Sequence, residues 1–113
     1  MYTINRYTDF DIEPEHVFDL PCYDRKSFYG KAKVIETEKG YYLQSYNTII
    51  CYIDKPGNGY TFVRLWCGYS VTTMRHVNAF FRFNGLNLGG KAFWDKLIPG
   101  KYYRIDELLN DCF

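Results

Sequence analysis

The sequence predicts an α+β fold, a small antiparallel β-meander of three to four strands with helices packed on one face, and three observations carry that prediction. Between residues 31 and 66, β-branched and aromatic residues recur in short runs separated by turn-forming residues. After residue 70 the apolar spacing switches to that of a helix, with Met74, Val77 and Phe81 at i, i+3 and i+7. The chain has 113 residues, 47% of them hydrophobic, which at this length supports one core and one domain.

Taken in order, residues 1–24 read as an acidic N-terminal arm and residues 25–113 as a single α+β domain. Within the arm no clean period is visible. Pro14 ahead of Glu15-His16-Val17-Phe18 predicts one short helical turn, which Pro21 ends. Residues 31–37 read as the first strand, and Glu38-Lys39-Gly40 as a hairpin turn in which Gly40 supplies a positive φ. Residues 41–46 run back as the second strand, Asn47 and Thr48 mark a bend, and residues 48–53 form the third. Lys55-Pro56-Gly57-Asn58-Gly59 is the strongest turn in the chain, and residues 60–66 follow as another strand.

The helical part begins where Ser70 or Thr72 can cap free backbone N–H groups. Arg75, Asn78 and Arg82 form a second, polar face on the same helix, and Asn84-Gly85 stops it. Gly89-Gly90 leads into a short amphipathic helix over residues 91–97, and Pro99-Gly100 turns the chain again. Asp106 is placed to cap a terminal helix whose Leu109, Cys112 and Phe113 face the core.

Composition and charge exclude several functions. With 14 Lys+Arg against 13 Asp+Glu the formal charge is +1, so neither a strongly basic nucleic-acid binder nor a polyanion mimic is expected. The placement of charge matters more. Residues 1–24 carry Asp9, Asp11, Glu13, Glu15, Asp19 and Asp24 against Arg6, so the remaining body is basic. The 12 Tyr, 9 Phe and 2 Trp are more than a small core absorbs, so a tyrosine-rich contact surface is expected. No apolar run approaches the ~18 residues of a membrane span. An acidic, aromatic N-terminus is unlike a secretory signal, so a cytoplasmic setting is expected.

Cys22, Cys51, Cys67 and Cys112 contain no close pair of the kind that brings two thiolates to one metal, and His16 and His76 are isolated. Free thiols, no metal and no cofactor are therefore expected. His76 is the one histidine near hydroxyl side chains, those of Ser70, Thr72 and Thr73. At four residues' separation Thr72 and His76 share a helix face, and their contact reads as one that fixes the helix start. No Gly-rich phosphate loop precedes a helix, so no catalytic residue is assigned and no enzyme is expected.

Binding is better supported. Tyr69, Arg75, His76, Asn78 and Arg82 are the candidate partner-binding residues, because a helix presenting Arg and Asn can meet phosphates, base edges or a protein surface. Tyr41, Tyr42, Tyr46, Tyr52 and Tyr60 alternate along strands and Tyr102 and Tyr103 follow the last turn, so some face outward. Trp66 is expected to be structural. An uncovered edge strand also offers a homodimer contact.

The runs Arg25-Lys26-Ser27-Phe28-Tyr29-Gly30-Lys31-Ala32, Leu43-Gln44-Ser45-Tyr46-Asn47-Thr48 and Tyr69-Ser70-x-Thr72-Thr73-x-Arg75-His76-x-Asn78-x-Phe80 come in a recognisable order, with Trp66 shortly before the last. Over about residues 25–85 the chain resembles a small domain of unknown function recurring in phages, plasmids and conjugative elements of Gram-positive bacteria. The resemblance implies a mobile-element origin and carries no catalytic residue. By association it implies a protein that binds a host or defence protein, most concretely an anti-CRISPR-like, counter-defence inhibitor of a host nuclease complex; the alternative is a nucleic-acid-binding accessory protein.

Overall fold

The computed structural model describes residues 12–21, 30–57 and 59–110. Six strands form one sheet in the order β1-β2-β3-β4-β5-β6, every neighbouring pair antiparallel. They are β1 (His16–Asp19), β2 (Ala32–Glu36), β3 (Gly40–Ser45), β4 (Thr48–Asp54), β5 (Thr61–Arg64) and β6 (Tyr102–Arg104). Helices α1 (Val71–Phe83) and α2 (Lys91–Lys96) interrupt the meander between β5 and β6, and α3 (Ile105–Asn110) follows β6. The α+β class is as predicted, and the strand number is corrected from three or four to six.

Two strands were missed for a common reason. Glu15-His16-Val17-Phe18 forms β1 rather than a helical turn, because Val17 and Phe18 pair opposite Ile35 and Val34. Tyr102–Arg104 is three residues long and pairs with β5 through Phe62↔Tyr103 and Val63↔Tyr102. Neither segment has a pattern of its own long enough to read; each is a strand because a neighbour supplies the ladder. β1 lies inside the acidic leader, and Asp19 bonds Lys33 at 2.9 Å. Residues 1–11 and 22–24 of the leader lie outside the described residues.

Alternation gives the sheet two different faces. Ala32, Val34, Leu43, Cys51, Ile53 and Phe62 face the helices and join Met74, Val77, Phe80, Phe81, Phe93, Trp94, Leu97, Ile105 and Leu108 in the main core. Ile35 and Ile49 point the other way and pack with Ile12 in a smaller cluster flanked by Tyr42 and Leu65. A register shift between Leu43 and Gln44 lets both Ile50 and Cys51 contribute to the helix side.

The β2–β3 turn uses Gly40 differently from the expectation. Its φ is not positive; a Cβ there would collide with the Ile53 carbonyl and the Tyr52 phenol, so close approach is what demands glycine. Thr37 closes the turn, its hydroxyl donating to the Gly40 carbonyl and accepting from the Gly40 N–H.

α1 behaves as its sequence dictates. Ser70 is the N-cap, its Oγ accepting the Thr73 N–H at 3.0 Å. At the other end the Gly85 N–H bonds the Arg82 carbonyl and the Leu86 N–H bonds the Phe81 carbonyl, with Gly85 at φ 76°. That is the double-bonded left-handed stop for which glycine at C′ is suited. In α3 the expectation is corrected in part. Ile105 and Leu108 are buried whereas Leu109 is exposed; Cys112 and Phe113 lie outside the described residues.

Candidate functional site

The inward face of α1 buries Met74, Val77, Phe80 and Phe81, which fixes the rotation of the helix. Val71, Arg75, Asn78 and Arg82 then form one solvent-facing stripe at i, i+4, i+7 and i+11. No acidic residue occurs in α1. Tyr69 stands just ahead of the cap, partly exposed, with the Lys91 ammonium 5.2 Å from its ring centre. Val71, the first residue of the helix, is 61% exposed. Lys91, Lys96 and Lys101 are exposed in the neighbouring segments, and the Asp95 carboxylate is tied to Lys91 at 2.7 Å. The outside of α1, of α2 and of the segment after it is thus basic.

Three of the five candidate residues therefore come together on this stripe, with Tyr69 beside it. His76 does not. It is 2% exposed and faces β3, where its Nδ1 lies 2.8 Å from Ser45 Oγ; Ser45 Oγ is also 3.4 Å from Thr73 Oγ1. The hydrogen-bond partner expected, Thr72, is exposed, and the imidazole bonds Ser45 instead. Burial, and secondarily the Lys31 charge, push the His76 pKa below its ordinary value, so the imidazole is neutral at neutral pH. Ser45 and His76 pin α1 to β3. The exposed Tyr46 ring lies 6.0 Å from the imidazole on the outer side.

Asn78 has a second duty. Its Oδ1 accepts the Gly90 N–H at 3.2 Å, holding the entry to α2 against α1. Trp66 packs on the main core, in line with its expected structural role.

The residue that sequence reasoning missed is Arg64. It is 6% exposed and all five of its N–H donors meet backbone carbonyls: Nε to Trp66, Nη1 to Trp94 and Leu97, and Nη2 to Cys67 and Gly68. Its guanidinium also lies 4.5 Å from the Trp94 ring centre, and the Trp94 indole donates to the Gly68 carbonyl at 2.9 Å. One side chain thereby locks the β5–α1 connection to the end of α2. A signal was present: Phe62, Arg64 and Trp66 alternate, so an arginine occupies the buried register of a strand.

Cys51 is buried and free, its thiol pushed well up by desolvation; Cys67 is exposed and free. Cys22 and Cys112 lie outside the described residues. Among the described residues no group of three His, Cys, Asp or Glu side chains is placed to hold a metal ion, and no helix is long and apolar enough to cross a membrane.

No curated protein and no solved structure matches the chain. Residues 19–96, from the last residue of β1 to the end of α2, match a family of unknown function. The matched part contains the Arg64 knot and the whole of α1, and the chain belongs to that family, DUF8033.

Proposed function

We propose that this is a non-enzymatic, cytoplasmic protein of a mobile element that works by binding a macromolecular partner through the outer face of α1, most concretely as a counter-defence inhibitor of a host nuclease complex. The observation that supports it is the stripe of Val71, Arg75, Asn78 and Arg82 beside Tyr69, held in one orientation by the buried side of the same helix. Tyrosine and arginine are the residue types that most often carry interface energy, and an exposed valine between them gives a docking surface an apolar centre. The host-directed role rests on the mobile-element resemblance of residues 25–85.

A second reading, a nucleic-acid-binding accessory protein, is favoured by one specific feature, the absence of acidic residues along α1 next to Lys91, Lys96 and Lys101. One experiment separates the two. Affinity capture from a Gram-positive host lysate, with and without nuclease, is run with the wild-type chain and with the double variant Arg75→Glu/Arg82→Glu. A protein that survives nuclease and is lost with the variant is the expected result. Capture that vanishes on nuclease treatment moves the function to nucleic acid. Capture unchanged by the charge reversal removes the α1 face from either reading.

A further inference from the structure

On the sheet face turned away from α1, residues 12–15 and the β2–β3 hairpin enclose a cleft of about 580 Å³, the size of a small-ligand site. Its floor is aromatic. Tyr42 and Tyr52 lie in contact with ring centres 4.6 Å apart and inclined at 50°, and the Tyr52 hydroxyl donates to Asp54 at 2.6 Å, which fixes that ring. Ile12 and Pro14 complete an apolar wall.

The rim is acidic: Glu13, Glu15 and Glu38 line it against Lys39. Glu15 shares the Lys55 ammonium with Glu36, at 3.8 and 2.8 Å. Among the described residues no ion pair forms at Glu13 or Glu38, and the Tyr42 hydroxyl has no hydrogen-bond partner. The cleft therefore combines two aromatic rings with a phenol and two carboxylates that no described residue pairs, and carboxylates outnumber the single Lys39 at its rim, an arrangement that favours a cation.

The geometry points to this cleft as a receptor for an arginine side chain of a protein partner. A planar guanidinium can stack on the half-buried Tyr42 ring, which Tyr52 braces from beside, while its N–H groups meet the carboxylates of Glu13 and Glu38. An ammonium offers neither the plane nor the fork, so arginine is preferred to lysine. The site is separate from the α1 stripe, on the opposite side of the sheet, and does not depend on it.

The test titrates Nα-acetyl-arginine amide and its neutral isostere, Nα-acetyl-citrulline amide, into the full chain at low salt, followed by NMR. The arginine probe should shift the signals of Tyr42, Tyr52, Glu13 and Glu38 saturably, and the citrulline probe should not. The double variant Glu13→Gln/Glu38→Gln changes exposed side chains; it should leave the urea midpoint unmoved and weaken binding by about fivefold. Arg75→Glu should leave binding unchanged, so this result stands or falls apart from the role of α1. Equal shifts from both probes, no saturable shift, or full affinity in the Gln variant would overturn the assignment.

Discussion

At the junction of β5 and α1 the Arg64 guanidinium is enclosed by five backbone carbonyls and the Trp94 ring, whereas on the outer face of α1 the same group, in Arg75, is exposed to solvent. The difference follows from the backbone each one serves. Residues 65–70 have no regular structure, so their inward-facing carbonyls need donors from elsewhere, and Arg64 provides them. The α1 backbone satisfies itself, apart from ends closed by Ser70 and the Gly85 turn. The outer side chain of Arg75 is thus not needed to satisfy the helix backbone. An irregular segment recruits its cation inward; a regular one leaves Arg75 exposed.

That contrast can be broken at several points. Arg64→Met keeps the apolar stem but strands carbonyls at Leu97, Trp66 and Cys67 and leaves those of Trp94 and Gly68 with one donor each, and should cost about 3 kcal/mol or more in urea unfolding. Arg64→Lys should recover only part of that loss, because a single ammonium cannot reach both sides of the junction.

His76 gives a pH-dependent version of the same test. Its folded pKa lies below the unfolded value, so the unfolded chain binds the extra proton first as pH falls. Its contribution is complete above the unfolded pKa of about 6.5 and is lost as pH falls below that toward the folded pKa. Unfolding measured at pH 7.5 and 5.5 should show a wild-type loss that His76→Gln reduces; identical losses in both chains would remove His76 as the cause.

Ser70→Ala should cost about 1 kcal/mol by loss of the bond to the Thr73 N–H, which thermal or urea melts resolve. At the small end, Arg75→Glu should change stability by no more than about 0.5 kcal/mol while weakening partner capture. A large stability loss in that variant would mean that the outer face of α1 is structural after all.

The sequence made α1 legible from cap to stop because every signal is local: Ser70, the Met74–Val77–Phe81 spacing and Asn84-Gly85. β2 to β5 were legible for the same reason. β1 and β6 were not, since their strand character comes from Ile35, Val34, Phe62 and Val63 across the ladder. His76 was expected among the binding residues because spacing alone does not reveal that Ser45, on another element, lies opposite it. The aromatic cleft joins residues 12–15 to Thr37, Glu38, Lys39, Tyr42 and Tyr52, and no single stretch of chain holds enough of it to be noticed.

The position of the helices within the meander has a consequence for how the chain can vary. β5 and β6 are hydrogen-bonded neighbours, so residues 65–101 form an excursion whose two ends are already zipped together. Lengthening such an excursion costs only about 0.6 kcal/mol of closure entropy per doubling. Extra residues at the exposed Asn87, between the two helices, can therefore be accommodated without disturbing a single strand register. The sheet and the buried side of the helices act as the frame, and the exposed link between the helices is where the chain can change length.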